Sequence, residues 1–284
     1  MSELKNTEFE SRFAIDPQAA AAMDTAELRQ HFFAGDLFQP GRVKLVYSHY
    51  DRMVVGGAVP GESPLLLEAV KPTGTKAFLD RRELIAVNIG GDGTVRVGDR
   101  DFALAPRDMI YVGRGETAVT FASADASKPA KFYLLSAPAH ETHETRLIRI
   151  DDAKRLDLGS QLTSNERSIF QFVHPEGAKT CQLVVGMTVL APGSVWNTMP
   201  CHVHDRRSEA YLYFGLDEKA RVFHFMGEPD ETRHLVIATE QAILSPGWSI
   251  HSGAGTSNYN FIWAMAGDNV DYTDVDPVAI EDLR

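Results

Sequence analysis

Pro200-Cys-His202-Val-His204-Asp-Arg-Arg-Ser-Glu209-Ala-Tyr211-Leu-Tyr213-Phe-Gly215 reads as a short strand, a turn and a second strand. Residues i and i+2 of a strand project from one face, so His202 and His204 present two imidazoles side by side. Glu209 follows after an odd number of residues and would lie on the opposite face of one continuous strand. The polar stretch Asp205–Ser208 reads as a turn, which lets Glu209 open the next strand and face inward. From there Glu209, Tyr211 and Tyr213 alternate with Ala210, Leu212 and Phe214. The same style recurs along the chain in short β-branched and aromatic runs, among them Val43–His49, Leu84–Ile89, Met109–Val112, Phe132–Leu135, Cys181–Leu190, Val222–Met226 and Asn260–Ala264. Gly, Pro and Asp separate them. Short strands at regular spacing, without strand–helix alternation, predict an all-β sandwich or barrel rather than a parallel α/β sheet. The N-terminal arm alone carries helix signals. These are Asp16-Pro17 as N-cap and first helical residue, and Asp24-Thr-Ala-Glu27 as a capping box with Gly35 as its stop.

The chain has 284 residues, 44% hydrophobic and 24% charged, which excludes a disordered or low-complexity protein. Its 28 basic and 39 acidic residues give a net charge of −11. That balance offers no general attraction for nucleic acid or anionic lipid, so neither is expected as a partner. Two cysteines, Cys181 and Cys201, are too few for a disulfide framework. The N-terminus lacks the apolar stretch of a signal peptide, and no apolar run is long enough to span a bilayer. A cytoplasmic protein is expected.

An internal repeat supports two β-domains. Residues 81–91 resemble 206–215, which sets Glu83 against Glu209. Pro106–Gly113 lines up without gaps against Pro246–Gly253, which sets Tyr111 against His251. The expected organisation is a helical arm (1–40), a first barrel (41–150) and a second barrel (151–284). The first barrel has no H-x-H, so only the second is expected to carry a metal site.

His251 follows Pro246-Gly247 at the end of another strand run. Three imidazoles and one carboxylate, His202, His204, Glu209 and His251, make a competent ligand set for a divalent first-row metal with room for water or substrate. A lone H-x-H is common; the inward-facing aromatic strand and the later Pro-Gly-led histidine give this one weight. Together the residues resemble the cupin superfamily pattern of H-x-H, then Glu, then a Pro-x-Gly-led His, with Gly193 opening and Gly215 closing the first motif. The gap from Gly193 to His202 is longer than usual. The resemblance implies a bicupin fold of two tandem barrels. It leaves open a cupin metal-dependent dioxygenase or a non-catalytic sugar-binding bicupin.

A closer resemblance rests on Val46–Gly57, Phe78–Leu84, Pro129–Tyr133, Ser136–His140, Leu162–Asn165, Trp196-Asn-Thr-Met-Pro-Cys-His-Val-His204, Glu231–His234 and Ser249–Gly253. From about residue 20 to Arg284 the chain resembles the 5-keto-4-deoxyuronate isomerase (4-deoxy-L-threo-5-hexosulose-uronate ketol-isomerase) family. The N-terminal arm and residues 61–76 match less well. The resemblance implies a zinc-dependent aldose–ketose isomerase of pectin and polyuronate degradation. It would convert 5-dehydro-4-deoxy-D-glucuronate to 3-deoxy-D-glycero-2,5-hexodiulosonate. It also implies one Zn2+ held by His202, His204, Glu209 and His251, a small sugar-acid substrate, and a homo-oligomer, a hexamer. The catalytic base is not assigned: Glu209 could be ligand or base, with the ligand role favoured, Tyr211 could polarise a hydroxyl, His224 and His234 could carry protons, and proton transfer and hydride shift both fit. Arg206, Arg207 and Arg233 are candidates for the substrate carboxylate.

Overall fold

The computed structural model describes residues 6–284. The chain divides into two compact units. The first comprises the described part of Met1–Arg12, with Asp36–Ala153 and Glu176–Leu183. The second comprises Phe13–Gly35, Lys154–Pro175 and Val184–Arg284. The residues expected to form a separate arm are thus shared between the units. Thr7–Arg12 pairs in parallel with Val43–Ser48 in the first, while the helices Pro17–Ala22 and Thr25–Phe32 belong to the second.

Each unit holds a seven-stranded and a four-stranded sheet. In the first, the large sheet runs Thr7–Arg12, Val43–Ser48, Val54–Ala58, Phe132–Pro138, Arg82–Asn88, Met109–Val112, Arg146–Ile148. The small one runs Leu65–Leu66, Val119–Ser123, Gly93–Val97, Arg100–Leu104. In the second, the large sheet runs Lys154–Leu158, Arg167–Val173, Val184–Leu190, Asn260–Gly267, Arg207–Phe214, Gln241–Ser245, Phe33–Ala34. The small one runs Trp196–Asn197, Ser252–Gly255, Val222–Glu228, Glu231–Ile237. The two orders match strand for strand apart from the terminal partner of each large sheet. This is the repeat at the level of topology. In the first unit, Val43, Leu84, Ile110 and Phe132 of the large sheet share one core with Val95, Leu104 and Phe121 of the small one. Each such side chain, fully buried, stabilises by roughly 1.5–3 kcal/mol.

The topology corrects one alignment. Tyr111 lies opposite Ile85, and Ile243 lies opposite Tyr211 two residues beyond Glu209. Tyr111 therefore holds the place of Ile243, not of His251. The octet Pro106–Gly113 contains its strand, Met109–Val112, whereas Pro246–Gly253 follows the matching strand, Gln241–Ser245.

Both helix starts form as read. The Asp16 carboxylate accepts from Ala19 N at 3.0 Å, and Asp24 and Glu27 cap each other's backbone. Gly35 is not the stop, however. The helix ends at Phe32 because Phe33–Ala34 pairs with Ile243 and Ala242 as a strand. Leu28 and Phe32 are buried, and Arg233 donates to the carbonyls of Ala21 (2.7 Å) and Met23 (2.5 Å) beside the end of the first helix. Arg233 thus anchors the helical segment, with both terminal nitrogens engaged.

Candidate metal centre

Two connections bring the ligand candidates together. His202–Val203 is a two-residue strand, the chain turns at Asp205 and Arg206, and Arg207–Phe214 carries Glu209 in the centre of the large sheet. The Pro246-Gly247 turn then packs directly on the first motif, with His204 N donating to the Gly247 carbonyl at 2.9 Å. A Cβ on Gly247 would lie 2.4 Å from the His204 carbonyl oxygen, so only glycine lets the two motifs approach this closely.

The resulting geometry is tight. His202 Nε2 lies 3.2 Å from His204 Nε2 and 2.9 Å from His251 Nε2. Glu209 Oε2 lies 3.0 Å from His204 Nε2 and 2.9 Å from His251 Nε2. For ligand bonds of about 2.0–2.1 Å, neighbouring donors sit about 2.9 Å apart at right angles and about 3.4 Å apart in a tetrahedron. The observed separations fall within that range. His204, Glu209 and His251 are buried and His202 nearly so.

The protons point the same way. His204 Nδ1 faces the Asp274 carbonyl oxygen at 3.1 Å, and a carbonyl only accepts, so Nδ1 carries the hydrogen. The Nε2 lone pair of a neutral His204 then points at a carboxylate oxygen, a contact that only a shared proton or a metal cation makes attractive. Burial, followed by the nearby His251, pushes His202 down to about 3, so that ring is neutral at ordinary pH. Burial alone would raise the Glu209 carboxyl. The flanking His251 and His204 outweigh it, and the group is held well below the usual carboxylate range. The four residues form a cluster that could hold a metal ion.

Asp274 does more than orient His204. Its carbonyl also accepts from Arg207 Nη2 at 2.6 Å, while its carboxylate is gripped by Arg206 and by Asn269. The segment leading to the strand Asp276–Pro277, which pairs with His202–Val203, is thereby fastened over the cluster. Such outer partners set imidazole orientation and ligand basicity.

His202, His204 and Glu209 line a cavity of about 350 Å³ with Thr188, Asn197, Thr198, Tyr211, Phe261, Trp263, Met265 and Tyr272; Arg167, Ile169 and Leu158 also line it. Tyr211 Oη lies 3.3 Å from Thr198 Oγ1, and burial, followed by the Glu209 charge, pushes its pKa far up, so it keeps its proton. Asn197 Nδ2 is buried without a protein partner.

The remaining expectations part company. His224 is fully buried, with Nδ1 2.8 Å from Tyr213 Oη, and does not line the cavity. His234 is exposed on the strand Glu231–Ile237. Arg206 and Arg207 are engaged by Asp274 and are not among the lining residues. Arg167, Tyr272 and Asn197 were not singled out from the sequence. Only Asn197, inside the Trp196–His204 run, stood in a recognisable motif.

The chain matches the sequence profile of the KduI/IolB family over residues 33–279. It is 70% identical over 273 residues to the 4-deoxy-L-threo-5-hexosulose-uronate ketol-isomerase 2 of Rhizobium meliloti (strain 1021), covering 96% of each chain. It is 59% identical over 278 residues to the 4-deoxy-L-threo-5-hexosulose-uronate ketol-isomerase of Cereibacter sphaeroides (strain ATCC 17029 / ATH 2.4.9), covering 98% of this chain and 100% of that one. Among solved structures, an IolB-like protein from Salmonella typhimurium LT2 shares the fold, with a TM-score of 0.71 at 14% identity over 85% of this chain and 94% of that one. With the profile spanning most of its length, the chain belongs to the KduI/IolB family.

Proposed function

We propose that the chain is a zinc-dependent aldose–ketose isomerase built on two tandem cupin barrels. It converts 5-dehydro-4-deoxy-D-glucuronate to 3-deoxy-D-glycero-2,5-hexodiulosonate in the breakdown of pectin and related polyuronates. The observation that carries this reading is the convergence of three imidazoles and one carboxylate at the buried end of a cavity roomy enough for a hexuronate. The relatives' shared name supports the substrate.

His202, His204, Glu209 and His251 would hold the metal, and three histidines with one carboxylate suit zinc. When bound, it polarises the substrate carbonyl and offsets negative charge developing on that oxygen. The chain's own residues do the rest. The Tyr211 hydroxyl retains its proton and donates to a substrate oxygen. Asn197 Nδ2, buried and unpartnered, receives a hydroxyl. Phe261, Trp263 and Met265 form an apolar wall that excludes water from the reacting carbons. Running the reaction in D2O separates the two routes: proton transfer incorporates solvent deuterium at the carbon, and hydride shift does not.

The exposed edge strand Lys154–Leu158, with Leu158 46% and Leu162 95% exposed, favours association into the homo-oligomer. No helix among the described residues is long and apolar enough to cross a membrane. The functional test is turnover of the unsaturated uronate released by a pectate lyase. The purified protein isomerises it, a chelator abolishes turnover, and stoichiometric zinc restores it. Undiminished turnover by metal-free protein, or none by zinc-loaded protein, overturns the reading.

A further inference from the structure

Arg167 opens the strand Arg167–Val173 and lines the same cavity as the metal-ligand candidates. Among the described residues lining it, Arg167 is the only one with a permanent positive charge. Its neighbour on the lining, Leu158, is 46% exposed, whereas Glu209 is 4% exposed. The cavity therefore has an open end with a guanidinium and a buried end with the metal donors. Arg167 Nη1 donates to the Asn165 carbonyl at 3.0 Å, which fixes the plane of the head group. Nε is buried and has no acceptor in the protein. An unmet donor on a half-buried guanidinium is costly unless a ligand completes it. The arginines nearer the motifs do not line the cavity: Arg206 and Arg207 hold Asp274, Arg207 with its own Nε and Nη1 buried and unmet, and Arg233 holds the helical segment.

The proposed substrate has a matching polarity. Isomerisation takes place at the aldehyde end of the six-carbon chain, and the carboxylate is the opposite end. With the aldehyde among the buried donors, the carboxylate projects toward the open end. We infer that Arg167 is the carboxylate-recognition residue of this cavity, binding the acid group of a hexuronate through the Nε side of its fork. This inference rests on the isomerase reading for the identity of the ligand, but the site itself needs only a sugar acid. A planar fork fixed on one side matches a carboxylate better than an ammonium does, so lysine is an incomplete substitute.

The test uses zinc-loaded wild type, Arg167→Met and Arg167→Lys. Calorimetric binding of D-galacturonate is compared with that of its uncharged counterpart D-galactose, and turnover of the hexosulose-uronate follows. Wild type binds the acid roughly ten- to a hundredfold more tightly than the neutral sugar, as expected for a charge-assisted contact. Arg167→Met loses that preference and raises KM by a similar factor, with little change in kcat, metal content or melting temperature. Arg167→Lys falls between. A wild type indifferent to the carboxylate overturns the assignment, and so does an Arg167→Met protein that keeps the preference. Acid preference lost in Arg167→Met without turnover by any variant would sink the isomerase reading and leave the carboxylate site standing. Normal turnover with an unchanged preference in Arg167→Met would do the reverse.

Discussion

Glu83 and Glu209 stand in equivalent central strands of two sheets built to one strand order, both almost wholly buried, and their carboxylates do opposite work. Glu209 Oε2 faces imidazole nitrogens of His204 and His251. Glu83 is saturated. Its Oε2 accepts from Tyr111 Oη at 2.9 Å and Cys181 N at 2.8 Å, and its Oε1 from Gln182 N at 2.9 Å and Leu183 N at 3.0 Å. Three backbone amides and a phenol occupy the lone pairs that a metal would need. A buried carboxylate is tolerated only when its charge is answered, and each unit answers it differently. In the first unit the answer is the chain segment Glu176–Leu183, which packs there. In the second it is a cluster of histidines that could hold a metal. A conserved strand order therefore transmits the position of the glutamate without its chemistry.

The largest effects are expected in the second unit. His202→Ala or His251→Ala is expected to strip the metal and lower turnover by more than about a hundredfold, since even the outer partners of metal ligands are worth ten- to a hundredfold. Elemental analysis alongside the assay checks this, and a fully active, metal-free variant would refute the site. On the first unit's side, Glu83→Ala leaves four donors without their acceptor. It should cost about 3 kcal/mol or more of stability, read by chemical denaturation, while the metal content of the folded protein stays unchanged. Loss of metal in proportion to Glu83 would show that the two carboxylates share a role.

A smaller effect concerns His224, which burial, followed by the charge of His251, pushes down to about 3 from an ordinary 6.5. The unfolded chain binds the proton more readily in that window. The folded state is therefore favoured above about pH 6.5 and loses stability as pH falls toward 3, at up to about 1.4 kcal/mol per pH unit for this one proton. In metal-free protein, His224→Phe should flatten the slope of stability against pH between 6.5 and 4. An unchanged slope would place the acid sensitivity elsewhere.

The fold class was legible because β-branched and aromatic runs bounded by turn residues are local signals, as at Met109–Val112 and Asn260–Gly267. Edge strands escaped: Thr7–Arg12 and Lys154–Leu158 are largely exposed and carry little apolar alternation. The four ligand candidates were legible because H-x-H and Pro-Gly-x-x-x-His are short patterns whose geometry follows from a strand and a turn. Arg167 was not, since it lies 35 residues before His202 and enters the cavity only through sheet pairing. The Tyr111–His251 pairing misled for a related reason, because one octet spans its strand while the similar octet in the other unit follows the equivalent strand.

The proposed state of the loaded protein is a single metal, held by the second unit alone. Its most direct test is the metal bound per chain in wild type, Glu83→Gln and Glu209→Gln after loading with zinc and removal of excess. One ion per chain is expected in wild type and in Glu83→Gln, and essentially none in Glu209→Gln. Two ions in wild type, or metal lost from Glu83→Gln but kept by Glu209→Gln, would contradict it.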